Sequence, residues 1–390
     1  MASVLRFADS EYFLSGNFEL DLESNQPILV DPLWKGTVLE NHLHKYPLPV
    51  LDSKKSFCLV TSGSTGVPKM VWKEWSEIES EISFWTKDNL VQSLFQGTKK
   101  AGVFVSVPFC HLYGLLWGYL IPKRLGIPIH IEKPSKETYL WITSAPQLQK
   151  AVDAHSPLPK NAIVSGMKFP VPLARTLRDK GGISVLEIYG STETGAIGYR
   201  DPLRQNRFQI LNDVETKFFQ EEGIEESELQ IRSPYLSNQF FLLEENGWVK
   251  FRIPPNEFYA TNDLGNGSEL GWYLLGRKDR IIKHKGKRVS LDRIESEILG
   301  LSLPGEFVCV CISGESGDTI GVFGSTNLTP EEVLIRMRKD LPESHIPKLV
   351  LTNHSMPRLP NGKIDYPTIT KLCSQEYDSE SVFLDQKPIE

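Results

Sequence analysis

Several short stretches of the chain set chemistry-bearing side chains at close spacing. The first is Thr61-Ser62-Gly63-Ser64-Thr65-Gly66-Val67-Pro68-Lys69, which directly follows the apolar run Phe57-Cys58-Leu59-Val60. Glycine lets the main chain take positive φ and approach a ligand closely. Successive exposed N–H groups and hydroxyls form a concavity for an anion, and Lys69 adds a point charge of the kind phosphate sites use. A Walker A loop requires G-x-x-x-x-G-K-[ST]. Here Gly63 and Gly66 are three apart and Lys69 comes three later, so that loop is excluded. On composition alone the stretch is equally an ordinary Ser/Gly loop.

The second is Tyr189-Gly190-Ser191-Thr192-Glu193-Thr194-Gly195, at the end of an apolar run over 184–188. The carboxyl ends of strands are where α/β sheets bind ligands. A flat ring (Tyr189) can stack on a base, a hydroxyl (Thr192) can bond a phosphate, and a carboxylate (Glu193) suits Mg²⁺, which prefers oxygen ligands. Three more follow the same logic with less weight: Pro108-Phe109-Cys110-His111-Leu112-Tyr113-Gly114, Tyr259-Ala260-Thr261-Asn262-Asp263, and Gly276-Arg277-Lys278-Asp279-Arg280-Ile281-Ile282-Lys283 with Gly286-Lys287-Arg288 behind it. A lone histidine beside aromatics is ordinarily a satisfied core or boundary residue. Near the end stands Pro360-Asn361-Gly362-Lys363-Ile364-Asp365, whose lysine, taken alone, is solvated surface.

The elements that must position these residues are legible in outline. A chain of 390 residues predicts two domains, and 40% hydrophobic residues can build a sizeable core. The formal charge of −6 argues against a general nucleic-acid footprint. The five cysteines are odd in number and include no C-x-x-C, so core thiols are expected rather than ligands or disulfides. The opening MASVLRFADSEYF has no apolar h-region, and no stretch reaches the roughly 18 apolar residues of a membrane span. Neither a signal peptide nor a membrane span is expected, and the cytoplasm is the default location.

Strand patterns at 101–108, 127–131, 139–143, 161–165 and 184–188 alternate with helical patterns at 147–154 and 172–179. That alternation predicts an α/β core of sheet and helix layers with a partly parallel sheet. Residues 74–95 show Trp75, Ile78, Ile82 and Trp85 at helical spacing with Glu77, Glu79 and Glu81 interleaved, and the tryptophans read as core. After 276 the pattern becomes α+β, with strands at 307–312, 319–323 and 348–352. A capping box, Thr329-Pro330-Glu331-Glu332, opens a helix there. The polar, acidic 374–390 reads as a disordered tail.

Taken in order, T-S-G-S-T-G-x-P-K, P-x-x-H-x-x-G, Y-G-x-T-E, Y-x-T-x-D, G-R-x-D-x-x-I-K and P-x-G-K-I-D resemble the motifs of the adenylate-forming (AMP-binding) superfamily. Its members are acyl- and aryl-CoA synthetases, acyl-carrier-protein synthetases and the adenylation domains of peptide synthetases. The resemblance implies roles residue by residue. Thr61, Ser62, Gly63, Ser64, Thr65, Gly66 and Lys69 would hold the phosphates of ATP. Gly166, Tyr189 and Gly190 would face adenine, Thr192 would bond the α-phosphate and Glu193 would hold Mg²⁺. His111 would gate the way between ATP and carboxylate, Asp263 and Arg277 would hold the ribose, and Lys363 would be the catalytic lysine. Asn262 stands where the family has glycine, a substitution that still tolerates positive φ.

The resemblance also implies a large ATP- and acyl-binding domain over 1–276. A small mobile domain over 277–373 would turn about a hinge at Asp279, with Lys283 and Gly286 bordering a tunnel for a thiol acceptor. Only 60 residues precede the phosphate loop, so the N-terminal subdomain is expected to be reduced, and a homodimer could replace the missing wall. The implied reaction joins a carboxylic acid to AMP with pyrophosphate release and passes the acyl group to a phosphopantetheine thiol. The local run of cations over 277–288 favours an acidic carrier protein over free CoA. Phe109, Tyr113 and Trp117 are expected to line an acyl pocket suited to an aryl or medium acyl chain. The alternatives are a ligase using CoA, a kinase or ATPase releasing orthophosphate, and a non-catalytic nucleotide-binding relative.

Overall fold

The computed structural model describes residues 2–50, 55–61, 68–98, 101–131, 138–221, 226–254, 256–268, 271–314, 317–353, 355–359 and 364–384, the side chains of 379–384 excepted. The chain divides into two units. One comprises Met1–Lys217, Gln230–Tyr259 and Ser268–Trp272; the other comprises Phe218–Leu229, Ala260–Gly267 and Tyr273–Glu390. Phe218–Leu229 and Ala260–Gly267 group with the later residues, in addition to those beyond the expected boundary after 276.

In the first unit, β1 (Ser3–Phe7) and β2 (Gln26–Val30) run parallel to β3 (Ser56–Thr61), which turns back antiparallel into β4 (Lys69–Glu74). Side chains alternate across a strand. Met70 and Trp72 therefore join Ile28, Val30, Cys58 and Val60 in one core, while Lys69, Val71 and Lys73 share the opposite face. A reciprocal capping box between Glu74 and Glu77 opens the helix Trp75–Lys87. Its Ile78, Ile82 and Trp85 are buried as the spacing predicts. Glu77 and Glu81, interleaved with these residues, are buried with them.

The parallel strands β5 (Val103–Val105), β6 (Ile129–His130), β7 (Leu140–Thr143), β8 (Asn161–Val164) and β9 (Ser184–Ser191) form the second sheet. β10 (Gly195–Arg200) and β11 (Gln209–Ile210) add antiparallel strands at one edge. The strand order is β11-β10-β9-β8-β7-β5-β6. The helices Ala145–Asp153 and Val171–Lys180 bury Leu148, Val152, Leu173 and Leu177 against Trp141, Val164 and Val185. Next come β12 (Glu215–Gln220) and β13 (Ser227–Arg232), then the hairpin β14 (Gln239–Glu244) and β15 (Gly247–Arg252). β14 pairs with β4 and completes the first sheet as β1-β2-β3-β4-β14-β15.

β16 (Tyr259–Ser268) and β17 (Gly271–Arg277) follow, in a sheet ordered β12-β13-β16-β17. The second unit continues with the hairpin β18 (Ile281–His284) and β19 (Lys287–Ser290), then β20 (Glu306–Gly314), β21 (Gly317–Ser325) and β22 (Leu349–Asn353) in one three-stranded sheet. Ile294, Ile298, Val333 and Met337, from the helices Leu291–Gly300 and Pro330–Asp340, pack with Cys309, Ile320 and Val322. Ile369 and Cys373, from the helix Tyr366–Leu384, pack with Val308, Val310 and Phe323 in a separate core. That helix overturns the expectation of disorder from 374 onward for residues up to 384; two apolar residues one turn apart anchor it. Among the described residues no helix is long and apolar enough to cross a membrane. The five cysteines are free thiols, four of them buried.

Candidate functional site

The loop expected to hold phosphate joins two antiparallel strands. Thr61 ends β3 and pairs directly with Lys69 at the start of β4. Ser62, Gly63, Ser64, Thr65 and Gly66 lie outside the described residues. Lys69 Nζ stands 2.6 Å from Glu193 Oε1 and 4.0 Å from the centre of the Phe240 ring. Folding thus brings the end of the first motif against the acid of the second.

Glu193 sits in the turn between β9 and β10. Reciprocal bonds close that turn: Ser191 N–H donates to Thr194 Oγ1 at 2.9 Å, and Thr194 N–H donates to Ser191 Oγ at 3.1 Å. Burial alone would raise the Glu193 pKa, but the Lys69 ammonium and its hydrogen bond bring it below the ordinary carboxylate value. Glu193 is therefore an ionised, partly sheltered carboxylate, the donor chemistry that suits Mg²⁺. Thr192, beside it, is half-buried. Tyr189 is buried, with one side of its ring taken by Phe208 at 4.9 Å. Gly190 lies on β9 so close to β10 that a Cβ would meet Gly195 O at 2.1 Å. Gly166 follows β8 with φ of +91°, and the adjacent Ser165 Oγ donates to Ile188 O.

His111 is tied to an aspartate that sequence reasoning missed. Its Nε2 lies 3.0 Å from Asp31 Oδ2, and Asp31 also accepts from Leu33 N–H at 2.9 Å. Burial works to raise the Asp31 pKa, but the hydrogen bonds from His111 and Leu33 lower it overall. With Cys110 these two place three candidate ligand atoms within 4.8 Å of one another. Burial pushes the Cys110 thiol far up, which works against a thiolate ligand.

The acyl-pocket reading needs correction. Phe109 is buried against Phe13 and Tyr119. The Tyr113 hydroxyl donates to Ile163 O and Thr143 O inside the second sheet. Trp117 is buried against Trp85. Phe109 and Trp117 are interior packing, Trp117 within the buried π-helix Gly114–Leu120, and Tyr113 is partly buried with its hydroxyl bonded to main-chain carbonyls.

In the second unit the ribose candidates come together. Arg277 Nη1 lies 3.1 Å from Asp263 Oδ1, while Nη2 lies 3.1 Å from Asp279 Oδ2. Asp263 N–H donates to Thr261 Oγ1, and Asn262 takes φ of +61°, the conformation its glycine counterpart would adopt without strain. Most of the expected cationic run is neutralised locally. Lys278 pairs with Glu221 and Glu228, Arg280 with Asp292 and Glu295, and Arg288 with Glu221. Lys283 and Lys287 are exposed and without an ion pair among the described residues. Between them Lys285 and Gly286 take φ of +49° and +77°, a tight hairpin turn. A Cβ at Gly286 would meet nothing within 4 Å, so glycine is required here by the backbone rather than by space. Lys363 lies outside the described residues, but Arg358 bridges Ile364 and Asp365 N–H donates to Pro357 O on either side of it.

In the first unit Lys69 meets Glu193, and in the second Arg277 lies between Asp263 and Asp279. The family model for AMP-binding enzymes matches residues 23–214. The chain is 23% identical over 341 residues to an oxalate–CoA ligase of Arabidopsis thaliana, covering 78% of this chain and 65% of that protein. It is 23% identical over 337 residues to a 3,4-dihydroxybenzoate–[aryl-carrier protein] ligase of Bacillus anthracis, covering 80% and 73%. The fold matches o-succinylbenzoate CoA synthetase of Bacillus subtilis, solved with its acyl-adenylate intermediate. The TM-score is 0.69 at 17% identity, over 94% of this chain and 87% of that one. The chain is similar to the adenylate-forming, AMP-binding superfamily, whose family model matches just under half of it. It spans just under two thirds of the oxalate–CoA ligase.

Proposed function

We propose that the protein is an acid–thiol ligase. A carboxylate oxygen attacks the α-phosphorus of ATP, the bond to the β-phosphate bridging oxygen breaks, and pyrophosphate leaves. A thiol sulfur then attacks the acyl carbon and AMP departs. The contact between Lys69 and Glu193 carries this reading, because it unites a phosphate-type lysine with a metal-type carboxylate. Mg²⁺, when bound, would neutralise phosphate charge, and Glu193 is the residue that would hold it. Lys69 and the 61–66 loop would bind the phosphates, Thr192 would donate to the α-phosphate, and Tyr189 would stack its ring on adenine. Asp263 and Arg277 would bind the ribose. His111, held by Asp31, would stand where the carboxylic acid enters, and Lys363 would stabilise charge growing between the acid and the α-phosphate.

The substrate is read as a carboxylic acid, and its chain type is left open by the interior placement of Phe109 and Trp117. For the acceptor we favour phosphopantetheine on an acidic carrier protein. Support comes from the exposed Lys283 and Lys287 on either side of the Gly286 turn, and from an aryl-carrier ligase among the relatives. The free thiols accord with a cytoplasmic setting. ATP–pyrophosphate exchange across a panel of aromatic, dicarboxylic and fatty acids tests the reading. Acid-dependent exchange is expected. Release of orthophosphate in place of pyrophosphate overturns it, and thioester yield with holo carrier protein against CoA then names the acceptor.

A further inference from the structure

Behind the turn that carries Thr192 and Glu193 lies a lysine that the proposed chemistry does not use. Lys73 is 1% exposed and sits on the same face of β4 as Lys69. Its ammonium donates to Tyr235 O at 2.8 Å and to Glu193 O at 3.3 Å. The acids facing it are Glu77 and Glu81 from the helix Trp75–Lys87, and Glu193 itself. Two lysines of one strand thus grip one residue from both ends: Lys69 takes the carboxylate and Lys73 the main-chain carbonyl.

Glu81 completes the hold. It is 2% exposed, and its carboxylate accepts from Ala196 N–H at 3.1 Å and from Trp85 Nε1 at 3.4 Å. Gly195 lies between, at φ of +66°, and a Cβ there would come within 2.6 Å of Glu81 Oε2 and of Tyr235 Cβ. Ser237 N–H adds a third main-chain bond, donating to Glu193 O at 2.8 Å. Buried charges contribute little net stability, and a well-packed apolar pair can often replace them without loss. Here, however, both charges end on main-chain atoms within three residues of Glu193, which is where a displaced backbone would shift its carboxylate.

We propose that Lys73 and Glu81 are positioning residues of the nucleotide site. They hold the main chain at the Glu193 carbonyl and at Ala196, three residues on, and so set where the Glu193 carboxylate stands. The inference rests on the assignment of Thr192 and Glu193 to nucleotide and metal, and it concerns neither the acid nor the acceptor.

The test uses the full chain with K73M and with the double variant K73M/E81Q, which removes Lys73 and the Glu81 charge together. Three quantities are read: thermal midpoint, amide hydrogen exchange over 192–196 without ligand, and calorimetric ATP affinity with and without Mg²⁺. The double variant should fold, exchange faster over 192–196, and lose roughly 10–100-fold of the gain in ATP affinity that Mg²⁺ confers. Metal-free ATP affinity should stay near wild type. If K73M alone does not fold, the double variant decides. A folded double variant with wild-type exchange in that segment and a wild-type Mg²⁺ response overturns the proposal. So does a lowered midpoint with an unchanged Mg²⁺ response, which marks a purely structural role. A wild-type protein that binds ATP more tightly with Mg²⁺ but exchanges pyrophosphate with no acid refutes the ligase reading alone. Wild-type ATP affinity indifferent to Mg²⁺ refutes both.

Discussion

Lys69 Nζ and Glu193 Oε1 lie 2.6 Å apart, an ion pair in which each side chain is less than one fifth exposed. It joins the loop between β3 and β4 to the turn between β9 and β10. The same two groups are assigned to phosphate and to metal, so nucleotide and metal must together replace the contact that the pair makes.

That competition predicts opposite effects of one substitution. Glu193→Gln frees Lys69 for phosphate and should tighten metal-free ATP binding by roughly 2–5-fold, the scale of a partly exposed ion pair. The same change should abolish the Mg²⁺-dependent gain. Calorimetry with and without the metal measures both, and weaker metal-free binding would show that Glu193 does not restrain Lys69.

Lys363→Ala should lower the rate of pyrophosphate exchange by roughly 10²–10³, the cost of removing one preorganised charge stabiliser. Its thermal midpoint should match wild type, because Arg358, Ile364 and Asp365 close the turn without it. Normal exchange in the variant would remove Lys363 from the chemistry.

Gly286 offers a way to separate the two half-reactions. Leucine there would be strained at φ of +77°, whereas asparagine tolerates that conformation and still adds bulk. Gly286→Asn should spare pyrophosphate exchange and impair thioester formation. Equal loss of both half-reactions, or of neither, would place the acceptor path elsewhere.

Glu77 supplies a pH signature. Burial pushes its carboxyl up from the ordinary 4.5 to about 7, with the Lys73 charge and the hydrogen bond from Glu74 N–H opposing the rise. The folded pKa is therefore above the unfolded one. Its contribution to stability is fully present below about pH 4.5 and is lost as pH rises through 7. Glu77→Gln imitates the protonated form, so wild type and variant should melt alike near pH 4.5 and diverge by pH 8, with the variant the more stable. A difference in midpoint that stays constant across this window would contradict the assignment.

The sequence by itself determined the motifs, their order and the alternation of strand and helix, because those depend on residues near one another in the chain. Phe57–Val60 reads as a strand before the glycine-rich stretch, and it lies in β3. Asn262 could be expected to keep a left-handed turn from its side-chain chemistry, and it does. Only the tertiary structure decided what lies behind those motifs. Glu77 and Glu81 interleave with apolar residues like a solvated face, yet a lysine four residues before Glu77 turns inward with them. A lysine within the apolar Met70-Val71-Trp72 run, followed by acids at +4 and +8, was the available signal. Phe109, Tyr113 and Trp117 have pocket-like chemistry, but Phe109 and Trp117 pack in the core and main-chain carbonyls hold the Tyr113 hydroxyl. The basic run over 277–288 is cationic in sequence and mostly neutral in space, because its acids arrive from 221, 228, 292 and 295. Periodicity reports which residues can be buried together. It does not say which distant partner makes burial of a charge affordable, and at Glu193 that partner is Lys69 on one side and Lys73 on the other.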